Sequence, residues 1–431
     1  MLKKGSKKLI NAWSFYDWAN SVYSLVISTA VFPLYYSAIT KDETVFFLGT
    51  EWTHPDSLYS YALSFSFLIV AFSSPILSGI ADYTGNKKKF MQFFCYLGSI
   101  SVMCLFFFKG IETIWIGIIC SILASVGFWG SLVFYNAYLP EVAYPEQQDA
   151  VSAKGFIFGY IGSVILLVIN LIMIQMPDTF GITAGLASRI SFVMVGLWWM
   201  GFAQITFKKL PTNNNYKKPE KGYIWRGFKE LKGVLKEIRN YPTLKRFLIA
   251  FFLLSVGVQT IILLATIFGS TELGLDTINL IVTVLLIQIV AIFGAALFSR
   301  ISKKYGNFKA LKATLIFWIL VCFCAFLLHK DLPNVSLYFY ALGGLLGLVL
   351  GAIQSLARST YSKLLPETDD HATYFSFYDV TEKIAIVLGT FVFGFLIYLT
   401  DSMQWSVLCL GLFFVASFVI ISTLKKTKHV H

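Results

Sequence analysis

Gly79-Ile80-Ala81-Asp82-Tyr83-Thr84-Gly85-Asn86-Lys87-Lys88 is a short polar interruption between two apolar runs, near 57–81 and 89–108. Each run is long enough to cross a bilayer core as a helix, which takes about 20 apolar residues. The acid, the two glycines and the basic pair therefore sit at a membrane edge. Positively charged residues stay on the cytoplasmic side, so this edge is the inner one.

The same alternation of apolar run and short polar connection fills the chain. Hydrophobic residues make up 57% of it, charged residues 13%, and the mean hydropathy is +0.70. A soluble globular domain carries about 25% charge, so the composition excludes one. Twelve spans are predicted near 10–37, 57–81, 89–108, 112–138, 150–176, 183–207, 244–268, 276–299, 309–328, 334–360, 372–398 and 402–424. The one long connection separates six spans from six. The domain plan is thus 1–209 as an N-terminal bundle, 210–243 as a cytoplasmic linker and 244–431 as a C-terminal bundle. Within the linker, Ile224, Phe228, Leu231, Leu235 and Ile238 recur at helical spacing with lysines and arginines turned elsewhere. That pattern predicts an amphipathic helix on the inner leaflet, connecting the bundles.

Of the 35 Lys and Arg, all but Lys41, Lys109, Arg189 and Lys330 fall at or near the even-numbered turns or the termini, which places both termini inside. Spread along membrane edges, the net charge of +12 reflects topology and lipid headgroups, and nucleic acid is not a predicted partner. The basic segment at 1–8 is followed by no small-residue cleavage site and is read as the flank of a retained first helix. The six cysteines lie within spans and have no metal-ligand spacing.

Two repeats relate the halves. Leu139-Pro140-Glu141 ends the fourth span and Leu365-Pro366-Glu367 the tenth; Gly85-Asn86 follows the second span and Gly306-Asn307 the eighth. Parallel halves of this kind are a transporter plan, with the solute site between them.

Ionisable groups inside spans are expensive and mark function. Asp17, Asn20, Ser24 and Ser28 fall on one helical stripe of the first span, and Asp17 is the leading candidate for a substrate or proton site. Tyr23, Ser24, Gln259 and Gln288 are candidates to line the cavity. Asp379, Glu382 and Lys383 lie on the eleventh span, where Asp379 and Lys383, four apart, can pair. With Lys154 they read either as ion pairs closing the inner gate or as a proton or substrate site. Arg358 reads as a positive-inside anchor with a gating alternative. Gly343, Gly344, Gly347 and Gly351 have the small-residue spacing of close helix packing.

The segment Gly79 to Lys88 resembles the major facilitator superfamily signature between its second and third helices. That resemblance implies an all-α membrane protein, a bundle of 12 transmembrane helices in two pseudo-symmetric six-helix halves. It also implies that Asp82, Gly85, Lys87 and Lys88 form a cytoplasmic gating network. The second-half copy, Gly294 to Lys304, has Ser299-Arg300 where the acid would stand. Tyr16-Asp17-Trp18-Ala19-Asn20-Ser21, Asn136 to Glu141, Gln354 to Glu367 and Phe377-Tyr378-Asp379-Val380 resemble the vacuole-effluxer-like branch, whose fungal members export amino acids.

No phosphate-binding loop or catalytic pair is present in the sequence, so the driving force is a gradient and no cofactor is called for. The expected protein is a monomeric carrier in the cytoplasmic membrane, working by alternating access and exporting a small polar metabolite such as an amino acid. Its partners are the solute, membrane lipids and, where transport is coupled, protons. The alternative within transport is proton-coupled uptake of a sugar or peptide-like solute. A non-transporting scaffold or receptor and an intramembrane enzyme are the readings from other classes.

Overall fold

The computed structural model describes residues 2–41, 43–212, 223–400 and 402–424, with the side chains of 56, 223–228 and 230 outside the description. Among the described residues, twelve helices are long and apolar enough to cross a membrane: Lys7–Thr40, Ser57–Thr84, Lys87–Phe107, Ile111–Val142, Pro145–Gln175, Ala184–Lys209, Pro242–Glu272, Thr277–Tyr305, Asn307–Leu327, Val335–Leu364, His371–Thr400 and Met403–Ser422. They are numbered as the first to twelfth spans in chain order. Helices satisfy every backbone donor and acceptor internally, which hydrocarbon demands.

By packing, the chain forms two compact units. One comprises Met1–Tyr138 and Phe158–Gly227, the other Leu139–Ile157 and Phe228–His431. The first part of the fifth span thus groups with the second-half helices, although the sequence assigns it to the 1–209 bundle.

In the first unit, Gly98 and Gly127 bring the third and fourth spans together so closely that a Cβ on either would meet backbone of the other. The sixth span is tied to the first by Thr206 Oγ1, which donates to the Ala12 carbonyl at 2.7 Å, and by Trp198 Nε1, which donates to the Trp18 carbonyl at 3.0 Å. In the second unit, Gly343 faces Thr283, while Gly347 and Gly351 pack on the backbones of Ile287 and Ala291, joining the eighth and tenth spans. Gly344 touches nothing, so three of the four predicted small residues make the contact. Small residues let helices approach where lipid offers no hydrophobic drive between them.

Three local features depart from plain α-helix. The first span contains a nine-residue π-helical stretch, Tyr23–Val31, and the seventh ends in another, Phe268–Glu272. Thr29 Oγ1 donates to the Ser24 carbonyl five residues back, at 2.8 Å, matching the widened turn. Each widened turn rotates the residues beyond it, so Ser24 is exposed and Ser28 half-buried, and the stripe expected to run from Asp17 to Ser28 does not stay on one face. Between the first two spans, Val45–Phe47 pairs antiparallel with Thr50–Trp52 around Leu48 and Gly49, both at positive φ, giving a small hairpin outside the helical plan.

A helix, Tyr223–Asn240, occupies the predicted amphipathic segment; residues 213–222, including most of the polar loop before it, lie outside the described residues. Among its described side chains Ile238 is buried and Leu231 half-buried, as expected, while Leu235 is exposed and Val234 is buried in its place; Ile224 and Phe228 lie outside the described side chains. Within the second unit, a cavity of about 50 Å³ lies among the last six spans, lined by Ile261, Phe268, Val321, Phe339 and Leu410 among others. Thr283 is its polar lining residue, and that hydroxyl already donates to the Asn279 carbonyl at 2.8 Å.

Candidate functional site

In the first unit the chemistry centres on Asp17. Ten residues into the first span, it is about 15 Å along the helix from Lys7. Its side chain is buried and accepts a hydrogen bond from Tyr135 Oη at 2.8 Å. Tyr135 is held by Trp13, which stacks on its ring at 4.4 Å and donates Nε1 to its carbonyl at 3.0 Å. The phenol is therefore fixed in direction before it meets the carboxylate. Asn20 is buried a turn above; its Oδ1 accepts from Ser21 Oγ at 3.5 Å, and its Nδ2 has no hydrogen-bond partner among the described residues. Tyr23 is packed against Phe128 and Trp199, with ring centres 5.0 and 5.8 Å away. The structure thus joins Asp17 and Asn20 in one buried patch and sets Ser24 apart.

Between the second and third spans, Gly85 closes the second span in the left-handed region, at φ 69°, a conformation that favours glycine. The Asp82 side chain is fully buried and lies 4.0 Å from Lys87 Nζ, which also sits 5.6 Å from the Tyr138 ring centre. Lys88 does something else: its Nζ donates to the Leu210 carbonyl at 3.1 Å, at the end of the sixth span. A cation there meets a carbonyl the helix leaves unpaired. The expected acid with its basic pair is therefore one pair and one helix cap.

In the second unit, Lys383 is buried between two carboxylates, 3.1 Å from Asp379 and 3.5 Å from Glu382. Gln259 of the seventh span donates to Glu382 at 2.7 Å. The group stands eight to twelve residues into the eleventh span, about 12–18 Å along the helix from His371. Lys383 thus bonds two carboxylates of its own helix at once. Gln288 is half-buried on the eighth span and Lys154 half-buried on the fifth.

Arg358 is not a headgroup anchor. It is 3% exposed, donates Nε to Ser152 Oγ and Nη2 to the Ser152 carbonyl, each at 2.9 Å, and lies 4.2 Å from the Phe156 ring centre. Ser152 Oγ in turn donates to the Ser355 carbonyl at 2.8 Å. Nearby is a cluster that sequence reasoning missed. Asp149 accepts from Ser302 at 2.9 Å and from Lys363 and Asn307 at 2.8 Å each. Asn307 also donates to Thr360 at 3.0 Å and accepts from Lys363 at 2.8 Å. His371 Nδ1 lies 3.2 Å from Glu141, a pairing that the scattered histidines did not suggest. A signal was present: Asn307 and Glu141 belong to the two repeated motifs, and Lys363 lies just before the second Leu-Pro-Glu.

The family model "Vacuole effluxer Atg22 like" matches residues 5–430. The chain belongs to that family. It is 33% identical over 425 residues to an uncharacterized MFS-type transporter, YxiO, of Bacillus subtilis, covering 98% of this chain and 96% of the relative. It is 25% identical over 434 residues to autophagy-related protein 22-1 of Penicillium rubens, covering 81% and 72% respectively. Among solved structures it resembles the proton:xylose symporter XylE, with a TM-score of 0.74 and 12% identity over 98% of this chain and 96% of that one. At that identity the likeness shows the fold: a major facilitator bundle of twelve helices. Family and fold together make this member of the Atg22-like family a multi-pass membrane transporter, and they point away from an enzyme.

Proposed function

We propose that this protein exports a small polar metabolite, such as an amino acid, across the cytoplasmic membrane by alternating access, with a proton gradient as the driving force. The observation that carries the coupling is the Asp379, Glu382 and Lys383 group, where two carboxylates share one buried ammonium. Two acids and a base packed together inside a span form the kind of group through which transporters relay protons. Gln259, bonded to Glu382 from the seventh span, reports its state to a second helix. In the first unit, Asp17 presents a carboxylate beside Tyr135 and Asn20, groups suited to an ammonium and a polar backbone. The family's description as vacuole effluxers supports a carrier that releases solute from a compartment, and the sidedness is left to the flux assay. Asp82 with Lys87, Lys154 and Arg358 are assigned to opening and closing the inner side.

The test is flux in proteoliposomes loaded with candidate amino acids, with and without an imposed proton gradient. Gradient-dependent release that Glu382→Gln abolishes, while Asp17→Asn selectively weakens amine-bearing solutes, supports the proposal. Full accumulation by both variants would sink it. Sidedness of the same assay separates export from proton-coupled uptake, which would use the same buried acids.

A further inference from the structure

Arg189, in the first unit, differs from the other cations described above. Lys87, Lys363 and Lys383 each lie within 4.0 Å of a carboxylate, and Lys88 and Arg358 donate to backbone carbonyls. Arg189 does neither: among the described residues no carboxylate pairs with it, and its buried Nε has no hydrogen-bond partner. It is half-buried on the sixth span, five residues from Ala184 and thus about 8 Å along the helix from that end. A lone charge held inside a span is costly, and an arginine near a span's end relieves the cost at the membrane interface.

Its surroundings fix its direction. The guanidinium lies over the Phe106 ring, 4.6 Å from the centre. The Tyr35 hydroxyl lies beside it. That ring is itself held: Oη donates to the Phe108 carbonyl at 2.8 Å, and the ring meets Phe192 edge-on at 5.5 Å. One turn nearer the span's end on the same face, Gly185 has no side chain, and a Cβ there would have only the Tyr35 ring edge within reach, at 4.0 Å. Long helical side chains lie over the turn N-terminal to their own Cα, so Arg189 extends over this open turn. The neighbouring surface is apolar: Phe107, whose ring is 5.6 Å from that of Phe106, is 56% exposed, and Phe180, in the turn leading into the span, is 54% exposed.

We propose that Arg189 binds the phosphate group of a membrane phospholipid, with the guanidinium fork on two of its oxygens and the acyl chains along the exposed aromatics. The fork matches phosphate geometry two bonds for two, and stacking on Phe106 holds it ready. The apolar surround favours a ligand that brings its own hydrocarbon over a free anion. Every residue of this site belongs to the first unit, and the site serves whatever solute the protein carries.

Hydrogen exchange followed by mass spectrometry on the full chain in nanodiscs tests this. Discs of phosphatidylglycerol are compared with discs of digalactosyl diacylglycerol, a bilayer lipid without phosphate. Exchange across 104–113 and 181–187 should be at least about fivefold slower in the phosphatidylglycerol discs, the protection given by a ligand at several times its Kd. Segment 264–280, which contains no Lys or Arg, serves as the reference and should not change between lipids. Arg189→Gln should abolish the difference. Arg189→Lys keeps the charge without the fork and should retain less than half of it, and this variant carries the comparison if Arg189→Gln does not fold. Lys109→Gln, which removes an exposed cation of the adjoining connection, should leave the difference intact. Equal exchange in the two lipids, a difference that survives Arg189→Gln, or an equal loss in Lys109→Gln would overturn the site. Millimolar inorganic phosphate added to the glycolipid discs should restore no protection; restored protection would make the ligand a free anion and overturn the lipid assignment.

Discussion

Lys383 is the residue whose loss separates structural from functional roles. It neutralises Asp379 and Glu382 at 3.1 and 3.5 Å while 1% exposed. Lys383→Met takes the ammonium away from both carboxylates in a buried site, and breaking a buried pair in this way costs on the order of 3–5 kcal/mol, so a clear fall in melting temperature is expected. Glu382→Gln leaves Asp379 and Lys383 balanced and keeps an acceptor for Gln259; its melting temperature should stay near the parent's while gradient-driven flux disappears. Equal melting curves for both variants would show that the group is not an ion-paired site. Asp17, Asp379, Glu382 and Lys383 were legible in the sequence because an ionisable residue stands out within an apolar run. Asp149 was not: it follows Pro145-Glu146-Gln147-Gln148, a polar stretch that reads as a solvated edge, and only the fold buries it. Arg358 misled in the same way, since proximity to the inner edge is no guide to whether Ser152 waits for it.

At the scale of single helices, the eighth and tenth spans are fixed by the glycines at 343, 347 and 351, whose spacing was visible in the sequence. Gly351→Val would drive a side chain into the Ala291 backbone, so low yield or a melting point reduced by several degrees is expected. Gly344→Ala points into open space and should be neutral or slightly stabilising, because alanine favours helix over glycine by up to about 1 kcal/mol. A comparison of thermal unfolding for the two variants checks both; similar losses would mean the contact is misassigned. The first span shows where periodicity stops being informative. A count of 3.6 residues per turn placed Asp17, Asn20, Ser24 and Ser28 in line, but the Tyr23–Val31 stretch is wound more loosely, and nothing in its apolar composition announces that.

For the whole molecule, twelve spans and two related halves followed from hydropathy and the paired motifs, since the bilayer fixes span length and leaves few alternatives. The grouping of Leu139–Ile157 with the second-half helices did not follow, because it depends on side-chain bonds between residues more than 150 positions apart, such as Asp149 with Ser302. Basic residues concentrated at the even-numbered turns predict that tags at both termini and within 208–243 report a cytoplasmic location, and one near Thr53 an external one. An external report from the 208–243 tag would reverse the orientation. The cavity among the last six spans has a further consequence. Its walls offer no free hydrogen-bonding group, so it takes apolar occupants in preference to water. Xenon should therefore bind there and stabilise the seventh to twelfth spans by mass action, and Ala325→Leu, which fills the space with carbon, should make that protection disappear.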